Sequence, residues 1–147
     1  PWFSGGGGVV RDSSGNILIG FAVFFGTKTN MEAEFLALLE EVQLCMEQGL
    51  HCIQVEMHSK ALQLMMLGNC QVPWKLWKEV SQIKALTQGN NFNFSYMFWE
   101  ANVVANALAN LASSTLCCKR FTPAWVSQEV LGLAALDRIH TPYIRMI

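Results

Sequence analysis

A long apolar hairpin near the start of the chain constrains the fold more than any other feature. Residues 5–26 have the sequence GGGGVVRDSSGNILIGFAVFFG, in which two apolar runs flank a polar turn at 12–16. Turn residues between two apolar runs are typical of a β-hairpin. The four glycines at 5–8 leave a flexible linker open as a second interpretation, although they lead directly into two valines. The sequence therefore predicts that a sheet begins early in the chain.

The segment after the hairpin is the clearest helix. Thr29 and Glu32 form a capping box, because the Thr29 side chain can accept from the Glu32 backbone N–H while the Glu32 side chain reaches back. Gly49 offers the C-terminal end. The apolar residues between these two points recur at helical spacing on one face: Phe35, Leu38, Leu39, Val42, Cys45 and Met46. This stripe predicts an amphipathic helix packed on the sheet.

The remaining elements follow from alternation, helical spacing and capping. They are a strand at 51–57, a short helix at 60–68 capped by Ser59, a helix from Pro73 to Gly89, a strand at 92–99 and a helix at 102–112. This order predicts the α/β class, a mixed sheet with helices on its faces. We expect one domain at 5–112, followed by a C-terminal tail at 113–147 that starts as a loop and contains a short helix.

Composition narrows the classes of function. Hydrophobic residues make up 52% of the chain, enough for a compact core, but the longest apolar runs reach about half the length of a membrane helix. We therefore expect no membrane span, and no signal peptide. The five cysteines form no C-x-x-C pair, so we expect neither a zinc site nor a disulfide framework. Free cysteines are typical of reducing compartments, so we expect the protein to be intracellular, in the nucleus or the cytoplasm. The net charge of −1 lacks the basic surplus usual in nucleic-acid binders.

Three motifs resemble those of one family. They are TNMEAE at 29–34, VEMHSK at 55–60 and WEANVVANALA at 99–109. Together they resemble the ribonuclease H-like domains of plant retroelement-derived, reverse-transcriptase-like proteins, and the segment 136–145 resembles the tail that follows such domains. The resemblance implies a five-stranded mixed sheet that hydrolyses the RNA strand of RNA–DNA hybrids. It also implies two Mg²⁺ ions held by four acidic residues.

The resemblance also implies that one strand is missing. The family's first strand, at the centre of its sheet, carries an Asp-Gly stretch upstream of the hairpin, whereas this chain has PWFS at 1–4 in what would be the connecting loop. We therefore expect a ribonuclease H-like mixed sheet whose first, central strand is missing. The hairpin at 6–25 should pair within itself, while 51–57 and 92–99 pair separately or move across to fill the vacancy.

In the first motif, this chain has the same residues that the family has. Glu34 matches the acid on the family's helix, and the match implies that Glu34 is a catalytic residue and a metal ligand. The alternative is that Glu34 is a solvated surface glutamate. Asn30 resembles a residue that meets the minor groove of the hybrid, and a plain helix-cap residue is the alternative. Ser59 and Lys60, in the second motif, are the other residues that we expect to contact nucleic acid.

The other two motifs depart from the family at its acids. His58 stands where the family has Asp, just past the end of a strand, and Asn106 stands where it has Asp on the last helix. Glu56 points to the same sheet face as His58 but lies about 6–7 Å further back along the strand. It is therefore a poor substitute for the family's aspartate. Asn102, Asn106 and Asn110 form a polar stripe that fits a solvated helix face as well as a site.

Two Mg²⁺ ions about 4 Å apart must be bridged by anionic oxygens, so the number of acids decides the chemistry. Only Glu34 remains at the motif positions. We therefore expect a domain whose family hydrolyses RNA–DNA hybrids but whose own Mg²⁺ binding is doubtful and whose activity is lost. The alternatives are a non-catalytic interaction domain and a retroelement-derived remnant.

The segment 73–80, PWKLWKEV, admits two interpretations. Trp74 and Trp77 alternate with Lys75 and Lys78, as on nucleic-acid surfaces. The two tryptophans also continue an apolar helix stripe with Val80, so we expect them to pack in the core.

Overall fold

The computed structural model describes residues 2–97 and 103–122, except the side chain of Trp2. Their strands are β1 Trp2–Arg11, β2 Ile17–Lys28, β3 Cys52–Met57, β4 Asn91–Tyr96 and β5 Cys118–Phe121. Their helices are α1 Asn30–Glu47, α2 Lys60–Met66, α3 Trp77–Thr87, preceded by a 3-10 turn at Trp74–Leu76, and α4 Val103–Thr115. The predicted mixed α/β fold is confirmed.

The strands form two sheets. β1 and β2 pair antiparallel as a hairpin and β5 adds to the far side of β2, which gives the order β1-β2-β5. β3 and β4 pair in parallel, joined by the crossover through α2 and α3. The predicted separate pairing of the hairpin and of the two later strands is confirmed. Within the described strands no ladder joins β1 to β3, so each ends its sheet at an open edge.

A single large core fills the space between α1 and the second sheet. Phe35 and Val42 are fully buried on the predicted face of α1, and they pack in one cluster with Ile53 and Val55 of β3. Met46, predicted on the same face, is only partly buried at the edge of this cluster. A smaller cluster lies between β2 and α4 and contains Ile17, Ala22, Val104, Leu108 and Ala112.

None of the helices in the described ranges has the length and apolarity that a bilayer crossing requires.

The glycine run belongs to β1, so the alternative of a flexible linker is wrong. A Cβ on Gly5 would lie 2.4 Å from the carbonyl oxygen of Ala109, and one on Gly7 would lie 2.5 Å from its backbone nitrogen. Both distances are far below van der Waals contact. The glycines are therefore required where α4 lies directly against the strand.

The segment that we expected to start a loop contains a strand instead. Cys118–Phe121 pairs antiparallel with Gly20–Val23 of β2. The Arg120 guanidinium bonds the carboxylates of Glu40 and Glu47, which fastens β5 to α1. An edge strand with charged, exposed side chains has no apolar alternation, so its sequence carries no strand signal. The helix predicted further along the tail lies outside the described residues.

Candidate active site

The three motif residues Glu34, His58 and Asn106 converge on one cleft. His58 Nε2 lies 3.5 Å from Glu34 Oε1. Asn106 of α4 lines the same cavity, which has a volume of about 430 Å³. The predicted convergence is confirmed, although the catalytic roles of these residues remain predictions.

Capping residues position the first two of these side chains. The Thr29 hydroxyl accepts from the Glu32 backbone N–H at 3.2 Å, and the Glu32 carboxylate accepts from the Thr29 N–H at 2.8 Å, so the predicted capping box is confirmed. It fixes the start of α1, and Glu34 follows within the first turns. His58 lies in the bend between β3 and α2, where the Ser59 hydroxyl accepts from the Leu62 N–H at 3.2 Å.

The interaction between Glu34 and His58 changes the pKa of the histidine. The hydrogen bond to Glu34 raises the pKa of His58, while partial burial acts in the opposite direction. The imidazole therefore takes up a proton more readily than a free histidine does, and when protonated it pairs with the Glu34 carboxylate. An imidazole thus occupies the place where the resemblance implies a carboxylate.

The residues expected to contact nucleic acid divide into two groups. Asn30 and Ser59 line the cavity. Lys60 lies outside its wall: the Lys60 Nζ donates to Gln63 Oε1 at 2.8 Å and lies 5.6 Å from the centre of the Tyr96 ring. The structure thus brings together two of these three residues. Asn102 of the polar stripe lies outside the described residues.

Sequence reasoning gave too little weight to two further carboxylates, Glu41 and Glu56, which also line the cavity. Burial, and secondly repulsion from Glu56, raise the pKa of Glu41 to about 7. Burial and the charge of Glu41 raise the pKa of Cys45 to about 12. The signal that could have found Glu41 is its position seven residues after Glu34, on the same helix face.

The donor set of the cleft does not fit two Mg²⁺ ions. Among the residues that the structure describes, no group of three or more His, Cys, Asp or Glu side chains comes close enough to hold a metal. Glu34 already pairs with His58. Asn106 offers only a neutral amide oxygen. Mg²⁺ gives up its water reluctantly and favours anionic oxygen ligands, so this set lacks the charge that two ions require.

Glu41 should make the stability of the domain depend on pH. Its pKa is 4.5 in an ordinary setting and about 7 in the fold. Between these values the folded chain keeps a proton that the unfolded chain releases, so the free energy of unfolding falls as pH rises. This rise in the pKa of Glu41 corresponds to roughly 3 kcal/mol of unfolding free energy, at ~1.36 kcal/mol per pKa unit. Because Glu41 is not fully buried, we expect a loss of about 2 kcal/mol.

Urea unfolding near pH 5 and near pH 8 measures this loss, and Glu41→Gln should remove it. His58→Gln is the matched control. The raised pKa of His58 stabilises the fold at low pH and that contribution also disappears as pH rises, but Glu41 is not among the causes of the His58 shift. An unchanged pH dependence in Glu41→Gln would contradict the assignment.

The tryptophans of the segment 73–80 lie on the surface, so the predicted core packing is wrong. Trp74 is 72% exposed and Trp77 is 63% exposed. Trp74 belongs to a 3-10 turn, whose period of about three residues takes it off the α-helical stripe. Leu76 occupies the core in its place. Trp77 Nε1 donates to the carbonyl of Val72 at 2.9 Å, which holds the indole on the surface.

Comparison with known proteins gives a consistent result. Residues 3–112 match the family model described as reverse transcriptase-like. The N-terminal RNase H domain of a Mycobacterium tuberculosis protein is 28% identical, with a TM-score of 0.74 over 78% of this chain and 85% of that one. LC11-RNase H1 in complex with RNA/DNA hybrid is 26% identical, with a TM-score of 0.73 over 79% and 89%. RNase H1 of Halobacterium salinarum is 21% identical, with a TM-score of 0.71 over 78% and 96%. No curated protein sequence matches.

Proposed function

Because the chain belongs to the reverse transcriptase-like family and has the ribonuclease H fold, we propose that it binds RNA–DNA hybrids without hydrolysing them. The observation that carries this proposal is the Glu34–His58 pair, 3.5 Å apart in a cleft also lined by Asn106. The three motif positions in this cleft carry one carboxylate, one imidazole and one amide. Binding of RNA/DNA hybrid by the similar LC11-RNase H1 supports the choice of ligand.

The loss of hydrolysis follows from charge. In the family, four carboxylates offset most of the four positive charges that two divalent ions bring. Glu34 supplies one negative charge at the motif positions, Asn106 supplies none, and a protonated His58 repels cations. Coulombic attraction for the ions is therefore much weaker, and without them no water is activated and no leaving oxygen is stabilised.

The residues that remain can still contact a hybrid. The amides of Asn30 and Asn106 can donate to phosphate or sugar oxygens, and amides of this kind can distinguish RNA by its 2′-hydroxyl. A protonated His58 can pair with a phosphate. These contacts need no metal, which separates binding from catalysis.

The exposed surface formed by Trp74, Lys75, Trp77 and Lys78 is a second region for binding. Lys75 Nζ lies 5.8 Å from the centre of the Trp74 ring, so a cation and an aromatic face lie side by side. Exposed indoles can stack on unpaired or terminal bases, and lysines can neutralise phosphates. This surface supplies local positive charge that the net charge of −1 does not show.

The test is the affinity of the chain for a short fluorescent RNA–DNA hybrid, measured by anisotropy in EDTA. We expect the double variant Trp74→Ala with Trp77→Ala to bind about tenfold to a hundredfold more weakly, since each stacked base contributes about 1–3 kcal/mol. Leu67→Ala is a matched control, because Leu67 is a half-exposed apolar residue outside this surface. Equal affinity for the hybrid and for duplex DNA of the same sequence would contradict the proposal.

A non-catalytic protein-interaction domain is the second candidate. The observation in its favour is that Glu34, Glu41 and Glu56 all line the cleft, where they repel phosphates.

We further propose that the domain is retroelement-derived, of plant type, and acts in the nucleus or cytoplasm. The tail motif at 136–145, which suggests this origin, lies outside the described residues.

A further inference from the structure

Four exposed residues form the tryptophan surface: Trp74, Lys75, Trp77 and Lys78. The core holds this surface in place, because Leu76 is almost fully buried in the cluster that also contains Phe35 of α1. The bond from Trp77 Nε1 to the Val72 carbonyl fixes one of the indoles further. Both indoles are therefore presented to solvent on an anchored segment, and a ligand does not have to order them first.

The tryptophan surface lies beside the first turn of α1, at the rim of the cleft. Hydrogen bonds from Thr29 lower the pKa of Glu32 most, and the positive charges of Lys28 and Lys75 lower it further. Exposed charges act over about 10 Å at ordinary ionic strength, so both ammonium groups lie near this carboxylate. Asn30 begins the same turn and lines the cleft. A nucleic acid strand that leaves the cleft past Asn30 can therefore reach the tryptophan surface.

We propose that the tryptophan surface binds the unpaired bases of a single-stranded extension, so that the chain prefers hybrids with such an extension to blunt hybrids. This inference rests on the proposed function, because the duplex part of the ligand lies in the cleft. Inside a duplex the faces of each base are covered by its neighbours, and a blunt hybrid offers indoles only its terminal bases. An unpaired base presents its whole face, and it stacks on an aromatic side chain whatever its sequence.

The spacing of the indoles sets the length of single strand that the surface can hold. Trp74 and Trp77 are three residues apart, which places them on the same side of the helical turn with their Cβ atoms about 5–6 Å apart. Two indoles offer stacking places for two bases. Lys75 Nζ lies 5.8 Å from the centre of the Trp74 ring, where it can also neutralise a phosphate. An extension of about four nucleotides, the smallest site of single-strand binding proteins, is therefore long enough.

The experiment measures the affinity of the full chain for fluorescent hybrids by anisotropy in EDTA. All hybrids share one duplex, which is blunt or carries four unpaired ribonucleotides, four unpaired deoxyribonucleotides or four abasic nucleotides, at the 3′ end or at the 5′ end. We expect an extension with bases to raise the affinity about tenfold or more over the blunt hybrid. The abasic extension has the same phosphates but no bases, so it should raise the affinity no more than about threefold. The larger gain among the two extensions with bases identifies the bound strand as RNA or DNA.

Variants of the chain test the role of the indoles. Trp74→Ala with Trp77→Ala should bind extended and blunt hybrids equally, while Leu67→Ala, at a half-exposed apolar residue outside the surface, should keep the preference. The comparison with the abasic extension on the unmodified chain remains decisive if the double variant fails to fold.

Two results separate this inference from the proposed function. Equal affinity of the unmodified chain for blunt and extended hybrids would overturn the inference alone, and so would an abasic extension that gives the full gain. Failure to bind any of the hybrids would overturn both. Tryptophan-dependent binding to phosphatidylcholine vesicles that contain phosphatidylserine, without a preference for extended hybrids, would overturn the inference in favour of a membrane surface as the ligand.

Discussion

Gly7→Ala is expected to lower the free energy of unfolding by about 3 kcal/mol, although it adds a single methyl group. That methyl would lie 2.5 Å from the backbone nitrogen of Ala109 and 2.7 Å from the carbonyl oxygen of Ala105. Backbone atoms inside a helix cannot rotate away, so β1 and α4 must move apart. The movement opens the cluster in which Val104 and Leu108 are almost fully buried.

Gly6→Ala is the matched control for this change, because it adds the same methyl group to the other face of the same strand. The atoms nearest to it are the ring of Phe25, at 2.4 Å, and the Cβ of Ala37, at 2.9 Å. Rearrangement of the Phe25 side chain can relieve much of this contact, so we expect a loss of about 1 kcal/mol. Urea unfolding of both variants measures the difference. Equal losses would contradict the close packing of α4 on β1.

The double variant His58→Asp with Asn106→Asp is expected to raise the affinity for Mg²⁺ by about tenfold to a hundredfold. Two carboxylates replace an imidazole and a neutral amide, and Glu34 is released from its contact with His58. Each added charge at about 4 Å is worth several kcal/mol before desolvation, of which about 1 kcal/mol should remain. Calorimetric titration of Mg²⁺ measures the change.

Asn110→Asp is the control for charge alone. Asn110 lies one turn after Asn106 on α4, at the exposed rim of the same cavity, so it adds a carboxylate without completing the motif. A comparable gain in Mg²⁺ affinity from this variant would show that general negative charge, rather than the motif positions, controls binding. No gain in the double variant would contradict the proposal that the missing acids prevent hydrolysis.

Much of the fold follows from local signals in the sequence. The capping box at Thr29 and Glu32 sets the start of α1 whatever surrounds it, and Gly49 has the positive φ typical of a residue just past a helix end. Alternation predicted the strand at 51–57 because one face of β3 is buried and the other is not. Such features depend on neighbouring residues in the chain, so they can be read without the tertiary structure.

The predictions that failed depended on tertiary contacts. Trp74 and Trp77 have helical spacing, but a 3-10 turn at the start of their segment changes which residues face the core. β5 is a strand because the edge of β2 is available and Arg120 meets two glutamates of α1, neither of which its own sequence reveals.

The candidate site was predictable where a motif carried it. Glu34, His58 and Asn106 meet as the motifs predicted. The direction of the Lys60 side chain and the burial of Glu41 were not predictable, because they depend on Gln63, on Tyr96 and on the space between the two sheets.

The central claim, a ribonuclease H-like cleft that binds hybrid without cleaving it, is tested most directly by incubating the unmodified chain with a hybrid labelled on its RNA strand. The incubation is run with Mg²⁺, with Mn²⁺ and with EDTA, and products and complexes are separated on denaturing and native gels. Our account predicts a retained complex in all three conditions and an intact RNA strand throughout. RNA cleavage that requires the divalent ion and disappears in Glu34→Gln would contradict it.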